Sequence, residues 1–210
     1  MTAWLNVNTE SAKRYMLKIP VQKRSRETVA SIVESCARLL TTTPYHTITT
    51  DKIAEMAGVS IGSLYQFFAN KEAIAAAVID DLLQRDLEYL RDGLKNMPHT
   101  TVPEKVKAII ELGFSLFHSN VPLRTALQDI QGLLSYWETR RVFFEHYQKY
   151  ILEHLPQLPG RDRNLVALII VSTFNTAMHL SLQNPQDNQR EAALKSELNI
   201  LLERYLRTEN

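Results

Sequence analysis

Between Val29 and Leu40 the apolar positions Val29, Ile32, Val33, Cys36 and Leu40 recur at helical spacing. Ser25 stands where a cap is expected, with Glu27 in the first turn, and Pro44 closes the segment. A second pattern starts at Thr49 or Thr50 and turns Ile53, Ala54, Met56 and Ala57 to one side. Gly58 follows, at the left-handed position just past a helix end. Ser60 then caps a third helix with Leu64, Phe67 and Phe68 inward. Asn70 caps a fourth, over Lys71 to Lys95, with Glu72 in its first turn. Its stripe is Ile74, Val78, Leu82, Leu87, Leu90 and Leu94.

The same periodicity predicts helices over Glu104–Ser119, Leu123–Gln131, Leu133–Leu155, Asn164–Gln183 and Gln189–Arg207, with Pro122, Pro156, Pro159 and Pro185 in the breaks. No segment alternates with period two, no internal repeat appears, and six glycines in 210 residues are too few for a turn-rich β fold. The expected fold class is all-α. Asn164 to Gln186 lacks Asp, Glu, Lys and Arg, but only Leu165 to Val171 is continuously apolar. That suits a helix covered by protein better than a membrane span.

Formal net charge is +1, which says little about partners. Its distribution says more. Residues 1–71 hold nine Lys/Arg against five Asp/Glu, and the remainder holds 15 against 18. A basic front on a mildly acidic body suits an anion-binding end. Residues 1–24 read as a flexible basic segment, apart from a short helical stretch around Ala12 to Leu17. Its cations Lys13, Arg14, Lys18, Lys23 and Arg24, with Arg26 just beyond, either add phosphate or minor-groove contacts or form a solvated tail. Cys36, the single cysteine, lies on an apolar stripe and reads as a small buried hydrophobe. Without a second cysteine or a signal-peptide pattern, the expected compartment is the cytoplasm.

Two short helices meeting at Gly58, with Ile53, Ala57, Val59, Leu64 and Phe67 between them, form a helix-turn-helix. The second helix then faces outward with Ser60, Ile61, Gly62, Ser63 and Gln66, small enough to approach a DNA groove closely. Gln66 can read a base edge and Ser63 can donate to a base or phosphate. Tyr65 packs its ring and extends its hydroxyl. A lysine in the first turn of a helix opposes the dipole, so Asn70 and Lys71 suggest a phosphate clamp. Arg26, Thr49 and Thr50 complete the DNA-binding set.

The stretch TTDKIAEMAGVSIGSLYQFFANKEAI resembles the DNA-binding region of the TetR family of bacterial transcriptional regulators. The resemblance rests on Gly58, Val59, Ser60, Leu64, Tyr65, Phe67, Asn70, Lys71 and Glu72, and covers about Ser25 to Asp80. Phe68 stands where tyrosine or histidine is frequent, and Ala69 where proline is frequent. The resemblance implies a helix-turn-helix domain over 25–71 and a helical effector-binding and dimerisation domain over 72–210. It implies a homodimer on double-stranded DNA with a near-palindromic operator. The last two helices would form the dimer seam, through Leu168, Val171, Leu194, Leu198, Leu201 and Tyr205. Repression, relieved by a small effector that favours another conformation of the body, is the expected outcome.

Candidate pocket walls are Phe114, Phe117, His118, Trp137, Phe144, Tyr147, Asn175, Met178 and His179, which suit a moderately apolar ligand. Aromatics at helical spacing are more often core, and His118 and His179 are more often hydrogen-bonded than metal-binding. The histidines lack ligand spacing, so no metal or cofactor is expected. No P-loop, nucleophile elbow or His-x-x-x-His pair is present, which argues against an enzyme. The competing class is a DNA-binding dimer without an effector, governed by a protein partner or acting architecturally.

Overall fold

In the computed structural model the described residues are 12–95, 101–130, 145, 147–153, 155, 157–184 and 186–207. Among them the regular elements are α1 (Lys23–Thr42), a 3-10 turn (Tyr45–Thr47), α2 (Thr50–Ala57), α3 (Ile61–Tyr65), α4 (Lys71–Lys95), α5 (Val102–His118), α6 (Val121–Ile130), α7 (Arg163–Leu182) and α8 (Asn188–Leu206). No strand forms among the described residues, only an isolated antiparallel bridge between Met16 and Phe68. The all-α expectation is met. The helix expected over Leu133–Leu155 lies largely outside the described residues, which show helix at 147–153.

Among the described residues two compact units emerge: residues 12–85 with 122–130, and the described residues of 86–121 with those of 145–207. In the first, Val29, Ile32, Val33 and Cys36 of α1 meet Ile53 and Ala54 of α2, Leu64 of α3 and Ile74, Ala75 and Val78 of α4. Leu123, Leu127 and Ile130 of α6 join the same core. Each fully buried aliphatic side chain contributes on the order of 1.5–3 kcal/mol. Cys36 is buried here, and that burial pushes its thiol up to about 12, so it behaves as an apolar core group.

Two expectations for the front of the chain are corrected. α1 begins at Lys23, two residues ahead of the expected cap. Gln22 occupies the extended cap position, and Ser25 Oγ donates to the Gln22 carbonyl at 2.8 Å. The segment ahead of it is folded over residues 12–22, where only a short helical stretch around Ala12 to Leu17 was expected within an otherwise flexible tail. Ala12 and Met16 are buried in the core, with Tyr15 and Ile19 packed against it. A basic, aperiodic composition hid this, because the burial runs through one tight turn with Met16 N donating to Ala12 O.

In the second unit Val106, Ile110 and Phe114 of α5 meet Val166, Ala167, Ile170, Val171 and Met178 of α7 and Leu198, Leu202 and Leu206 of α8. α5 starts with a reciprocal cap in which Thr101 N donates to Glu104 Oε2 at 2.8 Å. Hydrogen bonds from Thr101 hold the Glu104 carboxyl below the usual range. Gly113 lets α5 and α7 approach. A methyl there would overlap the Phe174 ring, which packs edge-on against Phe114 with centroids 6.3 Å apart. A polar cluster ties α5 to α8. Glu191 lies 2.7 Å from His118 Nε2 and 3.1 Å from Lys195 Nζ, and Lys195 also reaches Glu111 at 3.3 Å. Burial works to lower the Lys195 pKa, but hydrogen bonds and charge from Glu191 and Glu111 outweigh it, so the net shift is upward.

α7 is long and apolar enough to cross a membrane by length and composition. Its buried side belongs to the core just described, whereas Leu165, Leu168 and Ile169 are exposed.

Candidate nucleic-acid interface

The site is built from two short helices and a corner. Thr49 caps α2, its side-chain oxygen accepting from Lys52 N at 3.3 Å. At the other end Gly58 has φ 66°, and its N–H returns to Glu55 O while Val59 N returns to Ala54 O. This is the left-handed helix stop, a conformation that costs other residues about 1 kcal/mol or more. Ser31 Oγ of α1 donates to Ala57 O at 3.0 Å, which satisfies an end carbonyl of α2. Ser60 Oγ then caps α3, accepting from Ser63 N at 3.1 Å.

With Leu64 and Phe67 buried, the outer side of α3 is fixed. Ser60, Ile61, Gly62, Tyr65 and Gln66 are exposed and Ser63 is half-buried. Gly62 is not required by the fold: a methyl there meets nothing closer than Ser60 Oγ at 4.0 Å. Glycine inside a helix costs about 1 kcal/mol relative to alanine. It leaves a bare rim on the exposed side of α3. Tyr65 Oη lies 3.0 Å from Thr50 Oγ1, so one hydroxyl pair links the start of α2 to the end of α3 on this surface.

Asn70 Oδ1 accepts from Ala73 N at 2.8 Å and so caps α4. Lys71 is employed differently from the expected clamp. Its ammonium donates to Tyr45 O at 3.1 Å and Ile48 O at 3.2 Å, and lies 4.5 Å from the Tyr45 ring centroid. Two carbonyls and an aromatic face thus offset its unfavourable place at the start of a helix. Tyr45 Oη donates to Glu72 at 3.3 Å, and burial followed by the Glu72 carboxylate raises its pKa. Sequence reasoning missed Tyr45, because backbone carbonyls leave no trace in residue type. Arg26 is half-buried, with Nε 3.5 Å from Pro20 O.

Among the expected pocket residues, Phe114 and Met178 are fully buried in the core of the second unit, and Phe117 and Tyr147 pack against it. Asn175 and His179 are half-buried, and His118 is exposed at the Glu191 cluster. Trp137 and Phe144 lie outside the described residues. The seam residues also divide. Leu168 and Leu201 are exposed, 41% and 52%, whereas Val171 and Leu198 are buried within this chain and Leu194 and Tyr205 are half-buried. Leu165, Ile169 and Ile200 are exposed and were not anticipated. On α7 the i, i+3, i+4 spacing of Leu165, Leu168 and Ile169 was a usable signal.

A capped helix, a glycine corner and a short second helix with an anchored inner side and a bare outer one define a helix-turn-helix DNA-binding unit. Residues 32–78 match the family described as "Bacterial regulatory proteins, tetR family", and residues 101–206 match "Tetracyclin repressor-like, C-terminal domain". The chain belongs to the TetR family of bacterial transcriptional regulators. Regulators of this family bind DNA, act as dimers and bind small-molecule ligands. A fatty acid metabolism regulator protein from Bacillus subtilis is 24% identical, over 86% of this chain and 96% of its own. The transcriptional regulator EthR of Mycolicibacterium smegmatis is 27% identical, over 74% of this chain and 70% of its own. A TetR-family regulator from Pectobacterium atrosepticum shares the fold, with a TM-score of 0.71 at 18% identity, over 90% of this chain and all of its own.

Proposed function

We propose that this chain is a repressor that binds a near-palindromic operator as a homodimer in the cytoplasm and is released by a small, moderately apolar effector. The observation that carries the reading is the outer side of α3: exposed Ser60, Ile61, Gly62, Tyr65 and Gln66 over buried Leu64 and Phe67. Gln66, Ser63 and Ser60 are assigned to bases and flanking phosphates, Ile61 and Gly62 to close approach, and Thr49, Thr50, Tyr65, Asn70 and Arg26 to the backbone. Lys71 serves this set by holding the turn at Tyr45–Ile48 in place. Residues 25–71 thus carry DNA binding, and residues 72–210 carry dimerisation and effector response.

The exposed apolar residues of α7 and α8 support pairing with a second copy. The aromatic core of the second unit supports an apolar effector. The Bacillus subtilis relative is named for fatty acid metabolism, which makes fatty acids the first class to try. Release is limited to the effector's difference in affinity between the two states. Selection from a random duplex library should return an inverted repeat, and a fatty acid series should release it. Recovery of single half-sites without symmetry would overturn the dimeric reading.

A second reading draws on Phe114 and Met178, which are wholly buried by the chain's own side chains. A body already filled would serve a DNA-binding dimer controlled by a protein partner. A thermal-shift screen separates the two: stabilisation by apolar compounds favours the effector, and a flat response across the panel favours the filled body.

A further inference from the structure

Residues 12–20 form a strap across the exit of α3. Three ties hold it. Met16 forms the antiparallel bridge with Phe68, Leu17 N donates to Phe67 O at 2.8 Å, and Tyr15 Oη donates to Asp80 Oδ2 on α4 at 2.8 Å. Ordering a chain segment costs conformational entropy at every residue, so an ordered strap needs burial and bonds to hold it. Ala12 and Met16 supply the burial.

The pattern changes directly after Met16. Leu17 is 65% exposed and Lys18 is exposed as well. Met16 is bridged to Phe68 and Leu17 N is bonded to Phe67 O, so Lys18 directly follows a residue tied to the chain just after Gln66, an exposed residue of the α3 rim. Further on, Lys23 and Arg24 are exposed in the first turn of α1, where cations are disfavoured unless an anion offsets them. Glu27 gives little such relief, since it lies 3.9 Å from Lys23 Nζ with both side chains largely in solvent. The chain that leaves this tie therefore carries three exposed cations, Lys18, Lys23 and Arg24. Exposed cations on a segment tied to the end of a groove-reading helix fit the phosphate backbone of duplex DNA.

We propose that the strap is a second DNA-contacting element, in which Lys18 binds a phosphate flanking the bases read from Gln66. This rests on α3 being the DNA-reading helix. The strap is also why that contact is placed rather than random, since its backbone is bonded to the last turn of the recognition element.

The test uses the full chain and a mixed-sequence duplex of about 30 base pairs, titrated by fluorescence anisotropy over a series of KCl concentrations. Lys18→Ala should weaken binding several-fold and make the slope of log K against log[KCl] shallower by about 0.9, the loss of one phosphate contact. Lys107→Ala, which removes an exposed charge from the second unit, should leave the slope at the parent value. Leu17→Pro removes the N–H donated to Phe67 while keeping Lys18, and should weaken binding in the same direction. A Lys18→Ala slope equal to the parent's overturns the phosphate contact. Full affinity in Leu17→Pro, with Lys18→Ala still impaired, shows that Lys18 acts from a loose tail and overturns the strap. A parent chain that binds no duplex removes the α3 reading, and this inference with it.

Discussion

At the scale of single residues, two side chains of the DNA-binding unit separate contact from support. Lys71 has the charge and position of a phosphate ligand, yet its ammonium is held by the Tyr45 and Ile48 carbonyls. Lys71→Met keeps the stem and removes those bonds. It should lower stability by about 1 kcal/mol and weaken DNA binding, while the salt slope stays at the parent value. A slope shallower by about 0.9 would show that the ammonium reaches a phosphate after all. Gly62 gives the opposite case, because space is open around it and no neighbour within the chain requires a glycine there. Gly62→Ala should raise thermal stability by up to about 1 kcal/mol and reduce operator affinity. Unaltered affinity in that variant would mean no groove wall comes close to α3.

Among the elements, what the sequence discloses depends on how far a constraint travels along the chain. α2, the corner and α3 were legible because their signals are local: Thr49, Gly58 and Ser60 each act on residues within three or four positions. Of the strap only the short helical stretch around Ala12 to Leu17 was legible, because its ties run from Tyr15 to Asp80 and from Leu17 to Phe67, and a single cycle of burial leaves little periodicity to detect. The same reason hid the partner of Lys71. The exposed side of α7 and α8 was half legible. Apolar spacing marked both helices, but α7 has apolar residues on most sides, so Val171 could not be told from Leu168 until one was seen buried and the other exposed. The contact between α5 and α7 yields a test at this scale. Gly113→Ala drives a methyl into the Phe174 ring, which Phe114 holds from the other side. The two helices must separate or the ring must leave its rotamer, at a cost of about 1–3 kcal/mol. Urea unfolding should show that loss with an unchanged m-value, and a variant as stable as the parent would mean the ring moves freely.

For the whole molecule, the exposed apolar side of α7 and α8 is the surface on which self-association is to be tested. Leu165, Leu168, Ile169, Ile200 and Leu201 all face solvent in the single chain. In a two-fold interface the same patch serves both copies, so one substitution is felt twice. Leu168→Glu would place two carboxylates in an apolar seam, and each unpaired buried charge costs several kcal/mol. A total near 4 kcal/mol weakens self-association about a thousandfold. Sedimentation should therefore find the parent dimeric and Leu168→Glu monomeric at micromolar concentration, with the helical content of both the same. Operator binding should fall with it, because a monomer engages one half-site and loses the high effective concentration that the second head enjoys. Binding to a mixed-sequence duplex should fall far less, since its phosphate term needs only one head. A Leu168→Glu chain that stays dimeric and keeps full operator affinity would show that the copies meet elsewhere, and the exposed side of α7 and α8 would then need another partner.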